Sequence, residues 1–237
     1  MLIYIILFAV ATITFCTLYE MVLSNDESAI KTLAANAGEA ILTTALLLLN
    51  VIFSSEMLET MPLRILSVIY LSILLFNAFC DYKTKLIYRI YSYLFMLVSV
   101  IFAGYLLYTK YINEKITISE ITSIGITLVV MILIIFALST GKIKFMHTMG
   151  LADGFALVGT SMYLLSIIQV PGMYPVEYIL LHFILSSILM IIFSITKFSI
   201  KKMKFTELIP FIPYIYVSVF VITVFFINYF PNLGLML

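Results

Sequence analysis

Charge is what this sequence has least of. Only 11% of its 237 residues are Asp, Glu, Lys or Arg, where an ordinary soluble domain carries about 25%, and that shortfall excludes a conventional water-facing surface. The few charges nearly cancel, to a formal net charge of +1, which excludes the basic footprint of a nucleic-acid-binding protein and any long acidic tail. Cysteine is as scarce. Cys16 and Cys80 stand far apart at the ends of apolar runs, so there is neither a disulfide framework nor a paired-cysteine metal motif, and helix packing is the expected use of both. Internal repeats and low-complexity linkers are missing too. The opening run, Met1 to Val22, has neither a positively charged start nor a small-residue cleavage site; it is expected to remain as an anchor rather than be removed as a signal.

What is present is hydrophobic. Apolar residues make up 64% of the chain, in repeated runs of about 20 residues, the length that crosses a ~30 Å hydrocarbon core as a helix. An outer-membrane barrel would instead show short alternating segments. The expected fold class is therefore all-α, a polytopic membrane bundle of about eight transmembrane helices, over 2–22, 36–54, 62–80, 87–108, 117–139, 150–168, 175–196 and 208–230. Between the first two, Ser24-Asn25-Asp26-Glu27 reads as an S-x-x-E capping box, which starts the second helix in water near residue 25. Glu56, Glu59 and Pro62 interrupt the pattern near residue 60. They divide a two-helix segment, 1–60, from a six-helix remainder, 61–237.

Lys and Arg orient such a protein, because acidic residues contribute little. Alternating loops place Lys31, Lys83, Lys85, Arg89, Lys142, Lys144, Lys197, Lys201, Lys202 and Lys204 on one side, against Arg64, Lys110 and Lys115 on the other. The first side is expected to face the cytoplasm of a multi-pass protein of the cell membrane.

Aspartate is rarer still: Asp26, Asp81 and Asp153 are all the chain has. Asp81 closes the third apolar run and Asp153 opens the sixth, both on the cytoplasmic side. An ionisable residue at the margin of hydrocarbon is costly unless paired or facing a wet cavity, so each is a functional candidate. The plainer reading is that each marks a membrane boundary.

Their contexts carry more. Asp81-Tyr82-Lys83-Thr84-Lys85-Leu86-Ile87 resembles the first catalytic motif of the type IV prepilin and archaeal preflagellin peptidases, with Ile87 six residues after the aspartate. Gly150-Leu151-Ala152-Asp153 resembles that family's G-x-G-D signature, with Ala152 at the second glycine. Pro210-Phe211-Ile212-Pro213 is similar to the P-F-G-P segment that opens its last helix. The order and spacing agree over residues 62–237. Tyr88, Phe155 and Ala152 depart from the usual pattern, and the zinc-binding cysteine loop of the bifunctional bacterial enzymes has no counterpart. The resemblance is to the compact, peptidase-only branch. It implies catalysis by Asp81 and Asp153, support from Gly150, Ala152, Ile87, Pro210 and Pro213, no cofactor, no metal and no methyltransferase activity. The implied partner is a membrane-inserted pilin-like or archaellin-like precursor, cut after its short basic leader at the cytoplasmic face.

Two carboxylates suit that reaction on general grounds. One takes a proton from water while the other, still protonated, polarises the scissile carbonyl and assists the leaving amine. A shared site forces the split, because two close carboxylates do not both ionise easily. Helix dipoles suggest Asp153, near a helix start, as base and Asp81, near a helix end, as acid. Glu20, Asp26, Glu27 and Glu39 outnumber Lys31 on the same face and form an acidic patch for a basic leader; the alternative is a solvated loop. Other chemistries fit less well. No H-E-x-x-H exists for a metalloprotease. Gly159-Thr160-Ser161 with His182 superficially suggests a serine protease, but helix packing through small residues explains Gly159 and Ser161 better. The rival function is a small proton- or cation-coupled transporter using the two boundary aspartates, although transport sites usually lie near the bilayer midplane.

Overall fold

In a computed structural model of the chain, the described residues are 1–25, 33, 36–84, 89–113, 151–167, 175–199 and 210–229, with isolated positions between 117 and 133. Among them are seven α-helices: α1 (Leu2–Asn25), α2 (Ala37–Met57), α3 (Met61–Thr84), α4 (Arg89–Ile112), α5 (Leu151–Ile167), α6 (Pro175–Ser199) and α7 (Ile212–Tyr229). The all-α class is as the sequence implies. Each of these helices answers to one expected run, while most of 117–139 lies outside the described residues.

Among the described residues the membrane-length helices number fewer than the eight expected spans. Among the described residues four helices are long and apolar enough to cross a membrane: α1, α2, α3 and the Tyr93–Ile112 part of α4. Helix α5 has 17 residues, a rise of roughly 25 Å against the ~30 Å of hydrocarbon. The apolar stretches Leu180–Thr196 of α6 and Ile212–Phe225 of α7 are also shorter.

Local signals explain the helix starts. Pro62 and Pro213 are second residues of their helices and Pro175 a first, positions where a missing N–H loses no bond. Helix α2 opens on a capping box, with Asn36 Oδ1 accepting from Glu39 N–H and Glu39 Oε2 accepting from Asn36 N–H, both at 2.9 Å. This corrects the expected box at Ser24. Ser24 lies inside the last turn of α1, where its hydroxyl donates to Met21 O at 3.0 Å, because the apolar run of α1 carries the helix on to Asn25. Asn is as good a cap as Ser, and Asn36 has the glutamate three residues on. At the other end of α2, Arg64 Nε donates to Leu58 O at 2.6 Å, so a cation satisfies a terminal carbonyl.

Helix α3 is the axis of the bundle. Its apolar window is 72% buried, against 17% for α1 at the periphery. Helix α1 meets α3 through Phe15, edge-on to Phe76 at 5.6 Å. Helix α4 meets α3 through Tyr91 on Phe76 and Phe95 on Tyr70, and α7 meets α2 through Phe220 on Phe53. Cys80 is buried in this core, as expected of a packing residue, but Cys16 is exposed on α1, so packing accounts for only one of the two. Outward-facing side chains are apolar too, including Ile41 and Ile52 on α2, Leu97 and Ile101 on α4, and Ile184 and Ile195 on α6. A chain with four membrane-length helices and such an exterior is a membrane protein.

Inside, hydroxyls and aromatic rings replace plain packing. Ser54 of α2, Ser67 of α3 and Tyr163 of α5 form a continuous chain at 2.7 and 2.6 Å. Tyr70 stacks on Tyr163 at 4.4 Å and donates to Thr160 Oγ1 at 3.1 Å. Tyr216 of α7 donates to Asn50 Oδ1 of α2 at 2.7 Å. Buried polar contacts thus cross the turn at 58–60 where the sequence suggests a boundary.

Candidate active site

Asp81 stands in the last turn of α3 and is 5% exposed. A carboxyl buried so deeply needs donors, and α7 supplies one. Asp81 Oδ2 accepts from Ile212 N–H at 2.9 Å. The local sequence explains why that donor is open. Ile212 is the first residue of α7, Pro213 has no N–H, and Tyr214 N–H already bonds back to Phe211 O at 3.1 Å. The first turn of α7 therefore has a free donor with no partner of its own, and a side chain from α3 caps it.

Asp153 is half-buried in the first turn of α5. The register of α3 against α5 places it relative to Asp81. Ser67 pairs with Tyr163 and Tyr70 with Thr160, so the helices are antiparallel. Followed toward the end of α3 and the start of α5, that antiparallel run leads to the end of the bundle where Asp81 stands. Ring contacts through α4 agree, with Phe76 on Tyr91 and Tyr93 on Phe155. Both aspartates lie at one end of the bundle.

The supporting residues divide. Pro210 lies two residues before α7 and Pro213 lies in its first turn, while Ala152 lies in the first turn of α5. Gly150, Ile87, Asp26 and Glu27 lie outside the described residues. Glu20 is exposed near the end of α1. Glu39 belongs to an ion pair instead of an open acidic patch: Lys83 Nζ reaches both of its carboxylate oxygens at 2.6 Å, two residues along from Asp81. That pair brings the start of α2 and the end of α3 to the same side, as the loop alternation requires. Arg64 is at the opposite end of α3.

The structure adds what sequence reasoning missed. The partner of Asp81 is a backbone N–H, which no motif of side chains reveals; the only signal was the proline pair around it. Tyr214, in the first turn of α7, lies within electrostatic reach of both Asp81 and Tyr82. The helix-dipole division of labour also changes. Asp81 ends α3, but it also meets the start of α7, whose dipole opposes that of α3 at the same carboxyl. Dipoles therefore do not assign Asp81 as acid.

Gly159 packs as expected of a small residue at a helix crossing, since a Cβ there would come within 2.8 Å of Phe95 Cε1 on α4. Ser161 does more than fill space: its Oγ lies 3.0 Å from Nδ1 of His182 on α6. Comparison with family models, with curated proteins and with solved structures finds no match for this chain.

Proposed function

We propose that the protein is a membrane-embedded aspartyl endopeptidase that cuts the short basic leader from prepilin-like or preflagellin-like precursors at the cytoplasmic membrane face. The observation that carries this reading is the placement of Asp81: a buried carboxyl, fixed by the N-terminus of α7, at the bundle end that also holds Asp153. The sequence contexts of the two residues resemble the paired motifs of such peptidases, and their shared end matches the face to which Lys and Arg assign the cytoplasm.

The reaction follows from the pair. One carboxylate takes a proton from water as the water attacks the scissile carbonyl. The other, protonated, gives its proton to the carbonyl oxygen; as the C–N bond breaks, the first carboxyl passes the proton it took from water to the leaving amine, and the second recovers its own from the diol. Asp81 is held in place before substrate arrives, because its cap is backbone and cannot swing away. The precursor is itself a hydrophobic helix in the membrane, so it meets the enzyme sideways, with its scissile bond at the water boundary.

The test is direct. Purified protein in detergent is incubated with candidate precursors, and the new N-terminus is sequenced. Cleavage after a basic leader, abolished by Asp81→Asn and by Asp153→Asn, is the expected result. Undiminished cleavage by either variant would overturn the mechanism. Proton-driven uptake in liposomes, lost with the same substitutions and without any cleavage, would favour transport.

A further inference from the structure

His182 is wholly buried, as is Ser161, and its imidazole lies between two helices that the proposed chemistry depends on. Nδ1 is 3.0 Å from Ser161 Oγ of α5, and Nε2 is 3.4 Å from Ile215 O of α7. Ser161 lies eight residues beyond Asp153 on α5, about 12 Å down the helix. Ile215 lies three residues beyond Ile212 on α7, and its N–H bonds to Phe211 O. One helical turn therefore joins the imidazole contact to the N–H that holds Asp81.

From this we propose that His182 is a positioning residue, a buried strut joining α5 to the first turn of α7 and so setting the placement of Asp153 against Asp81. The proposal rests on the peptidase reading for its consequence, but not for its geometry.

Proton counting defines the strut. A neutral imidazole carries one N–H and one lone pair. With the proton on Nε2, the ring donates to Ile215 O and Nδ1 accepts from the Ser161 hydroxyl; α5, α6 and α7 are then joined. With the proton on Nδ1, the ring donates to Ser161, whose hydroxyl turns to Leu157 O at 2.8 Å, and the Nε2 lone pair faces the Ile215 carbonyl. That arrangement releases α7. The hydroxyl has a single proton, so the strut holds only while Ser161 gives it to His182 rather than to its own helix. A serine beside a histidine is also the beginning of a nucleophile and base, but here both are sealed from solvent inside the bundle. They act through the helices they join and do not touch substrate.

The two hydrogen bonds make specific demands on a replacement. The His182→Gln side chain offers one donor and one acceptor, His182→Leu offers neither without introducing a buried polar group, and Ser161→Ala removes the α5 end alone. Full-length protein is compared by hydrogen exchange over residues 211–216 and by steady-state cleavage of a precursor. For His182→Leu and Ser161→Ala the expected result is three- to tenfold faster exchange, the order of one lost interhelical bond. Exchange in α1 should not change, and kcat should fall by about the same factor with KM unchanged. His182→Gln should stay near wild type in both measurements. Unaltered exchange in both disruptive variants would overturn the strut, as would faster exchange with unchanged kcat. Faster exchange in a protein that cleaves no precursor would uphold the strut and overturn the peptidase reading.

Discussion

Asp81 and Ile212 are 131 residues apart in sequence and 2.9 Å apart in space. A carboxylate at the close of one helix serves as the N-cap of another. The residue proposed for chemistry is therefore also a structural clamp, and substitutions can separate the two duties.

Asp81→Asn keeps an amide oxygen able to accept from Ile212 N–H, so the cap survives while the acid–base function is lost. Precursor cleavage should fall at least a hundredfold, the scale of general acid–base catalysis, with the melting temperature in detergent nearly unchanged. Asp81→Ala should abolish cleavage and also destabilise the protein by about 0.5–2 kcal/mol, as lost caps do. Equal melting temperatures for the Asn and Ala variants would show that the cap carries no stability.

Asp153→Asn should be as inactive as Asp81→Asn, while Asp26→Asn should cleave normally. Activity should persist in EDTA, because the proposed step moves protons between two carboxylates and a water. Loss of cleavage in EDTA with recovery on added zinc would replace this mechanism by a metal-dependent one.

Gly159→Ala tests the crossing of α4 and α5. The added methyl would meet Phe95 Cε1 at 2.8 Å and Ser99 Oγ at 3.0 Å, and overpacking of this kind costs about 1–3 kcal/mol. Gly104→Ala is the control, because a Cβ there meets nothing within 4 Å. It should be neutral or slightly stabilising, since Ala is the better helix former. Thermal unfolding of the two variants side by side decides the matter.

Leader recognition can be read from salt. If Asp26 and Glu27 attract a basic leader, reversing both charges should raise KM with kcat little changed, and the difference should shrink as salt screens exposed charges over about 8–10 Å. A leader of reversed charge should partly restore KM. Identical kinetics in all four combinations would leave those residues with no part in recognition.

Much of this architecture was legible. Apolar runs locate each described helix to within a few residues, and the scarcity of aspartate singles out Asp81 and Asp153 before any contact is known. The failures have physical causes. Ser24 and Glu27 satisfy the capping pattern, but so do Asn36 and Glu39, and only the continuation of α1 to Asn25 decides between them. Eight apolar runs suggest eight spans, whereas four helices among the described residues are long and apolar enough to cross a membrane. The Ile212 cap and the Ser161–His182 pair join residues on different helices, 131 and 21 positions apart, and no local rule brings such residues together. Glu39 looked like an open charge because its partner, Lys83, is 44 residues away.

The turn between α2 and α3 bears on how the protein is made. Arg64 closes it onto Leu58 O, and the Ser54–Ser67 bond pairs the two helices only 13 residues apart in sequence. Contacts so local form early. The Ser54 and Ser67 hydroxyls of this hairpin are thus paired with each other before α5 is made, and Ser67 also meets Tyr163, which follows it by 96 residues in the chain. The expected order of assembly is the α2–α3 hairpin first, then docking of α5 onto it through Tyr163 on Ser67 and Thr160 on Tyr70. A truncated chain ending before α5 should insert stably but remain incompletely assembled.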